Sequence, residues 1–441
     1  MSVLKVSPLD HPLEGTLKAP PSKYHTHRAL ILAALADGES TITGISKSLD
    51  NMSTVQCLTE LGAKFEVTSN GYKVTGGPFK TPSNVLDCGN SGSTINFLLD
   101  VTATAPGTVV YTGDDSLRSR PLGPYIEALN RWGIDVWSTQ SNGLLPVVIR
   151  PRDMSSLSDH VMINGLISPW TSGLLLSAPF TGHDVTIDIE NGKLNEASYT
   201  DLMIQMMKPF GVEVEREEDY SRFFVKGGQK FHPGHVSIPS DISLASFGLV
   251  LAAISNSHIR YTQFDVNAFH PESKILEALE LMGADLRVDA EAQTIEVYGG
   301  KPLKAIEIDC NEAPDMVPVL SILLAHGKGE SRIVNAEQVH YKECDRLEVM
   351  GQLNKMGVPV TVTKDGLIIK GVKKLQGASL DSYKDHRVMM SFAIAGLVAE
   401  GQTFITDPGA ASVSYPGFLK DISALGADFE TILGPEDVNK D

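Results

Sequence analysis

One phrase recurs six times along this 441-residue chain and limits what it can become. It runs apolar, two other residues, apolar, glycine, then alternating apolar residues. The copies are LTELGAKFEV, ALNRWGIDVW, IQMMKPFGVEVE, LELMGADLRV, LNKMGVPVTV and ISALGADFET. Their glycines are Gly62, Gly133, Gly211, Gly283, Gly357 and Gly426, spaced 69 to 78 residues apart. Each copy reads as an amphipathic helix that ends at a glycine in the left-handed C′ conformation, followed by a strand of period two. Between the copies lie RALILAALADG, TSGLLLSAPF, LASFGLVLAAIS, MVPVLSILLAHG and MMSFAIAGLVAEG. These are apolar nearly all round, so they are expected inside a domain. Short strands such as STITGI, SRIVNA and QTFITD follow several of them. Each unit therefore reads roughly as strand, helix, strand, helix, strand, strand. Units of about 70 residues are too long for a solenoid, and three to a domain around a pseudo-threefold axis is the expected packing.

The length exceeds what one core usually holds, so two or more domains are expected. Hydrophobic residues at 42 % and charged residues at 21 % fit a globular protein. The formal net charge of -17 opposes binding to a phosphate backbone, so nucleic acid is not an expected partner. Any anionic substrate must be met by a local cluster of Lys and Arg. Cys57, Cys88, Cys310 and Cys344 form no CxxC pair and suit neither a zinc site nor a disulfide framework. The stretch MSVLKVSPLDHPLEG has no long apolar run, and no membrane span is expected. A cytoplasmic location is the simplest expectation.

Charged residues gather where apolar helices begin. APPSKYHTHRALILAALADG reads as a Pro-rich loop carrying Ser22, Lys23, His25, His27 and Arg28 into a buried helix over 28–36. Cations there oppose the helix dipole, which suggests an anion at the helix end. GNSGST offers backbone N–H groups before an apolar helix, although an N-cap at Ser93 or Thr94 explains it equally well. GDDSLRSRPLGPYIEAL places Arg118 and Arg120 in an expected loop before Pro121. NEAPDMVPVL puts Asp315 at the first turn of a helix, where the dipole alone could account for it. VHYKECDRLEVMG carries Lys342, Glu343, Asp345 and Arg346, and SYKDHRVMM carries Lys384, Asp385, His386 and Arg387. A solvated helix face would spread its charges over several turns. Here they are compressed at helix starts, the equipment for a phosphate or carboxylate ligand with proton transfer.

Together PSKYHTHRALILAALADG, DCGNSGSTINFLL, GDDSLRSRPL, EASYTDLMIQMMKPFGVEV, PSDISLAS, APDMVPVL, KECDRL, KDHR and DPGAASVSYPGF resemble the enolpyruvyl transferase family, in its 5-enolpyruvylshikimate-3-phosphate synthase branch. The resemblance covers essentially the whole chain. It implies an α/β fold, a two-domain inside-out α/β barrel of six βαβαββ repeats. One domain would span 20–237 and the other 1–19 plus 238–441. It also implies domain closure over a substrate. The family's reaction protonates the methylene carbon of phosphoenolpyruvate, adds an acceptor hydroxyl to the neighbouring carbon and expels phosphate. By resemblance, Lys23 and Arg120 hold the phosphate of phosphoenolpyruvate, and Arg346 and Arg387 its carboxylate. Asp315 faces the acceptor hydroxyl, Glu343 protonates the methylene carbon, and Lys23 lies near the reacting centre. Arg28, Tyr199 and Lys342 are acceptor contacts, together with Ser22, Ser168 and Glu196 at the same acceptor positions. No metal and no organic cofactor is implied.

Several positions depart from the family pattern. A Ser-Ser-Gln at the acceptor loop is here Ile167, Ser168 and Pro169, and a serine three residues before Tyr199 is Glu196. Tyr24, Asn96, His340 and Val413 replace a Ser, two Arg and a Lys. Most of these losses fall on groups that would bind the phosphate of shikimate 3-phosphate. The expected function is therefore transfer of the carboxyvinyl group to a hydroxyl of a small, carboxylated, shikimate-like acceptor that need not be phosphorylated. The alternatives are the standard synthase of aromatic amino-acid biosynthesis, and a lyase eliminating water or phosphate from such a ring without phosphoenolpyruvate. A monomer with small-molecule substrates is expected.

Overall fold

The computed structural model describes residues 2–433. The chain divides into two compact units, Pro21–Ile238, and Met1–Pro20 with Pro239–Asp441.

The Pro21–Ile238 unit contains helices α1 (Lys23–Leu35), α2 (Leu49–Glu60), α3 (Gly92–Leu98), α4 (Asp115–Ser119), α5 (Gly123–Trp132), α6 (Ser168–Ser177) and α7 (Ala197–Met207). The other unit contains α8 (Ile242–Ile254), α9 (Lys274–Met282), α10 (Val317–Leu324), α11 (Arg346–Met350), α12 (His386–Leu397) and α13 (Phe418–Ala424). Each unit holds three four-stranded sheets, and all six share one order. A parallel pair comes first, and two antiparallel pairings follow. In the first unit, for example, His160–Ile163 runs parallel to Val185–Ile189, which pairs antiparallel with Arg222–Val225 and then Val214–Arg216. The sheets are open, and none closes into a barrel among the described residues.

All six glycines of the recurring phrase have positive φ, from 81° at Gly357 to 114° at Gly133 and Gly426. This is the conformation that lets a helix stop and its last carbonyls find donors. At Gly133 the N–H reaches the carbonyls of Leu129 and Asn130. Before Gly211 and Gly357 the last turn tightens to 3₁₀.

The apolar helices are buried as their composition requires. Every residue of α1 is buried, as are all of α12 and nearly all of α8. In the second unit α8, α10 and α12 pack against one another. In the first, α3 lies on α6, and α7 touches both α6 and α1. Helix α1 begins five residues before the expected position 28. Ser22 is its N-cap, with Oγ accepting the N–H of His25, so Lys23, His25 and His27 belong to the helix and not to a loop. The expected loop before Pro121 also contains a helical turn, α4, capped by Asp114. No helix among the described residues is long and apolar enough to cross a membrane.

Candidate active site

In the second unit, three buried helix starts bring ionisable groups together. Arg346, the first residue of α11, is fully buried. Its Nε donates to Asp385 Oδ2 at 2.7 Å, Nη1 to Asp315 Oδ1 at 2.5 Å and Nη2 to Glu343 Oε2 at 2.5 Å. One guanidinium thus holds three carboxylates from three segments, each by a charge-assisted bond. Asp385 also caps α12, its Oδ1 accepting the N–H groups of Arg387 and Val388. Arg387 donates from Nη1 to Ser243 Oγ at 2.6 Å, and its Nη2 lies 3.7 Å from Asp315 Oδ2. Lys342 Nζ is 3.9 Å from Asp315 Oδ1, and His386 Nε2 is 3.6 Å from Glu343 Oε1.

The electrostatics follow from this packing. Burial alone pushes the Asp315 carboxyl up, but Lys342, Arg387 and Arg346 overcome it and hold it well below the usual carboxylate range. Burial works to lower the Arg346 pKa, and Asp385, Glu343 and Asp315 together drive it well above its ordinary value. Three acids and three cations meet here, so the cluster has no large net charge to repel an incoming anion.

Glu343, Asp385 and His386 have ligand atoms within 4.8 Å of one another. A metal ion does not fit that spacing, because the Arg346 guanidinium already bridges Glu343 and Asp385.

In the first unit, Lys23 opens α1 and its Nζ donates to Asp50 Oδ2 on α2 at 2.7 Å, both side chains being buried. The Asn51 amide donates to the Lys23 carbonyl and fixes the same turn. A polar chain then crosses to α3. His27 Nδ1 lies 2.7 Å from Thr54 Oγ1, Thr54 Oγ1 lies 2.7 Å from Thr94 Oγ1, and Thr94 donates to Ser91 Oγ. Burial keeps the His27 pKa well below its ordinary value, with Lys23 and Arg28 adding to the effect, so the ring is neutral. Ser91 is the N-cap of α3. Arg120 follows α4, donates to Asn90 Oδ1 at 2.9 Å, and has Nη1 where a Cβ on Gly92 would stand only 3.1 Å away. Gly92 therefore lets the guanidinium lie against the first turn of α3. Arg118 turns elsewhere, bonding the Gly113 carbonyl and Asp115.

Two of the expected acceptor residues of this unit, Arg28 and Tyr199, also meet. Buried Arg28 donates to the carbonyls of Tyr24 and Tyr199, each at 3.1 Å, and burial pushes its pKa down to about 10. The Tyr24 and Tyr199 rings are 5.2 Å apart. Ser168 is the buried first residue of α6, behind an N-cap, Ile167, that provides no side-chain bond. Glu196 precedes α7 in the left-handed conformation with φ 56° and is buried. The two preceding loops are pinned together, Asn195 N donating to Gly165 O and Asn195 Nδ2 to Leu166 O.

Sequence reasoning singled out Lys23 but not Asp50, which holds it, whereas Asp315 and Glu343, two of the three carboxylates on Arg346, were expected at the site. Asp385, the third, stood in SYKDHR as one charge in a cluster. Ser243 stood in plain view in PSDISLAS, yet nothing local says that Arg387 reaches it.

A model of the EPSP synthase (3-phosphoshikimate 1-carboxyvinyltransferase) family matches residues 9–422. The chain belongs to this family. A 3-phosphoshikimate 1-carboxyvinyltransferase of Methanococcus maripaludis is 35% identical over 437 residues, covering 98% of this chain and 100% of that protein. One from Acetivibrio thermocellus is 38% identical over 420 residues, covering 95% and 97%. A solved EPSP synthase of Acinetobacter baumannii superimposes with a TM-score of 0.79 at 27% identity, over 98% of this chain and 100% of that one. Membership makes the chain an enzyme of the transferase class, with an α/β fold like that of the EPSP synthase structures.

Proposed function

We propose that the chain transfers the enolpyruvyl group of phosphoenolpyruvate to a hydroxyl of shikimate 3-phosphate, releasing phosphate. The observation that carries the chemistry is the Arg346 guanidinium with Glu343 on one Nη and Asp315 on the other. A carboxylate-binding fork is thereby flanked by two carboxyl groups that can serve as donor and acceptor of protons. Protonated Glu343 gives its proton to the methylene carbon. The acceptor oxygen bonds to the adjacent carbon while its proton passes to Asp315. The bond from that carbon to the phosphate oxygen then breaks, the phosphate leaving with the proton taken by Asp315, and the Glu343 carboxylate recovers a proton from the methyl group, which restores the vinyl group. Arg346 and Arg387 take the substrate carboxylate, and Lys23 and Arg120 the phosphate, with Ser22 positioned to cap the turn that carries Lys23. Arg28, Ser168, Tyr199 and Lys342 serve the acceptor. The names of relatives 35% and 38% identical along nearly the full chain support shikimate 3-phosphate as that acceptor.

A second reading, an acceptor without the phosphate, is favoured by the buried Glu196 carboxylate and by Ile167 and Pro169 beside Ser168. A buried acid disfavours a nearby phosphate, and an isoleucine donates no hydrogen bond to one. The three like-ordered sheets of each unit further support a pseudo-threefold inside-out arrangement of six repeats.

Incubation with phosphoenolpyruvate and either acid, followed by phosphate release and product mass, tests the assignment. Product with shikimate 3-phosphate is expected. Product only with shikimate would establish the second reading, and conversion of either acid without phosphoenolpyruvate would indicate a lyase. Glu343→Gln is expected to slow the chemical step by roughly two orders of magnitude or more.

A further inference from the structure

We infer that Glu272 is a positioning residue that fixes Asp315 for its part in the reaction, an inference that rests on the role of Asp315 proposed above. The first turn of a helix leaves backbone N–H groups unmet. In the 3₁₀ turn Pro314–Met316 that leads into α10, Ala313 supplies no side-chain cap, and Pro314 has no N–H. The first donor of that turn is the N–H of Asp315 itself. It is capped from outside, by Glu272 Oε1 at 3.1 Å.

Glu272 is fully buried and is held in turn. Its own N–H donates to His270 Nδ1 at 3.2 Å. Acceptance at Nδ1 puts the ring proton of a neutral His270 on Nε2, which lies 3.3 Å from Asp241 Oδ1. The same Asp241 oxygen caps α8 through the N–H of Leu244. The first turn of α8 carries Ser243, which accepts from Arg387, and Arg387 lies against Asp315. The path Asp241, His270, Glu272, Asp315, Arg387, Ser243 thus closes on itself. Asp315 is fixed from behind through its backbone and from in front through its carboxylate, so Glu272 governs where that carboxylate points. Displacement of about 1 Å at such a group can cost a hundredfold in rate.

Steady-state kinetics of the full chain, with phosphoenolpyruvate and whichever acid it turns over, test this. Glu272→Ala is expected to lower kcat 10- to 100-fold with each KM within about threefold, as loss of orientation does. Glu272→Gln keeps an acceptor oxygen and is expected to recover kcat to within about threefold of wild type. In an Asp315→Ala background, Glu272→Ala is expected to cost nothing further. Equal losses in the Ala and Gln variants, or independent losses in the double variant, would overturn the inference. Should Glu272→Ala fail to fold, His270→Ala is the second probe, expected to lower kcat three- to tenfold at unchanged KM; an unchanged kcat overturns the inference. Should the wild type turn over neither acid, the proposed function has failed on its own. Crystal structures of wild type and Glu272→Ala then decide this point, and an Asp315 carboxylate unmoved from Arg346 overturns it.

Discussion

Lys23, the first residue of α1, sits 2.7 Å from the carboxylate of Asp50 on α2, and both side chains are buried. The phosphate-binding role proposed for Lys23 therefore depends on an acid that orients it. Removing one partner of a buried pair strands the other and typically costs about 3–5 kcal/mol. Asp50→Ala is expected to lower stability toward urea by about that much, and Asp50→Asn by less, because the amide oxygen still accepts from Lys23. Both should raise the KM for phosphoenolpyruvate. Urea unfolding and initial rates check this, and an Asp50→Ala enzyme with unchanged midpoint and KM contradicts it.

Arg346 joins three carboxylates through a planar fork that an ammonium cannot reproduce. Arg346→Lys is expected to lose about a thousandfold in kcat/KM despite keeping the charge. Asp385→Asn, which still caps α12 through its oxygen, should lose less. Recovery of more than a tenth of wild-type kcat/KM by the lysine variant would show that charge alone suffices.

Asp100 lies buried in the first unit, where its Oδ2 accepts from Ser177 at 2.6 Å and its Oδ1 from Val101 N. Burial pushes its pKa up to about 6 despite the bonds from Ser177 and the backbone. The folded state therefore keeps a proton that the unfolded chain has lost above about pH 4. Stability falls as pH rises from about 4 through 6, and the loss levels off at order 2–3 kcal/mol above that. In Asp100→Asn the amide can donate to Ser177 while its oxygen accepts from Val101. Urea unfolding at pH 4.5 and 7.5 should show the variant gaining on wild type by about 2 kcal/mol at the higher pH, whereas parallel behaviour would mean that Asp100 titrates normally.

Gly173 in α6 leaves room for a neighbour. A Cβ there would lie 2.2 Å from the Tyr125 hydroxyl oxygen and 2.5 Å from the Asn96 carbonyl oxygen. Gly173→Ala is expected to destabilise by about 2 kcal/mol through overpacking, and adding Tyr125→Phe should restore only part, since the carbonyl remains. Thermal unfolding of the single and double variants checks both statements.

The left-handed glycines, the short strands and the buried helices were legible in the sequence because each depends on local pattern. Helix starts were less so. The Pro20–Pro21 pair and a run of ionisable side chains read as loop up to 28, but burial of α1 carries the helix back to Lys23. The charged motifs pointed to Asp315, Glu343, Arg346 and Arg387, which do meet in one cluster. Their partners Ser243 and Glu272 lie 144 and 43 residues away from Arg387 and Asp315, and no periodicity reports contacts of that range.

The central claim is tested most directly by mass spectrometry of the product formed from phosphoenolpyruvate and shikimate 3-phosphate. The expected product is the acceptor enlarged by one carboxyvinyl group, formed in step with one equivalent of phosphate and lost with Glu343→Gln. No such product from shikimate 3-phosphate, with wild-type enzyme in its folded state, would contradict it.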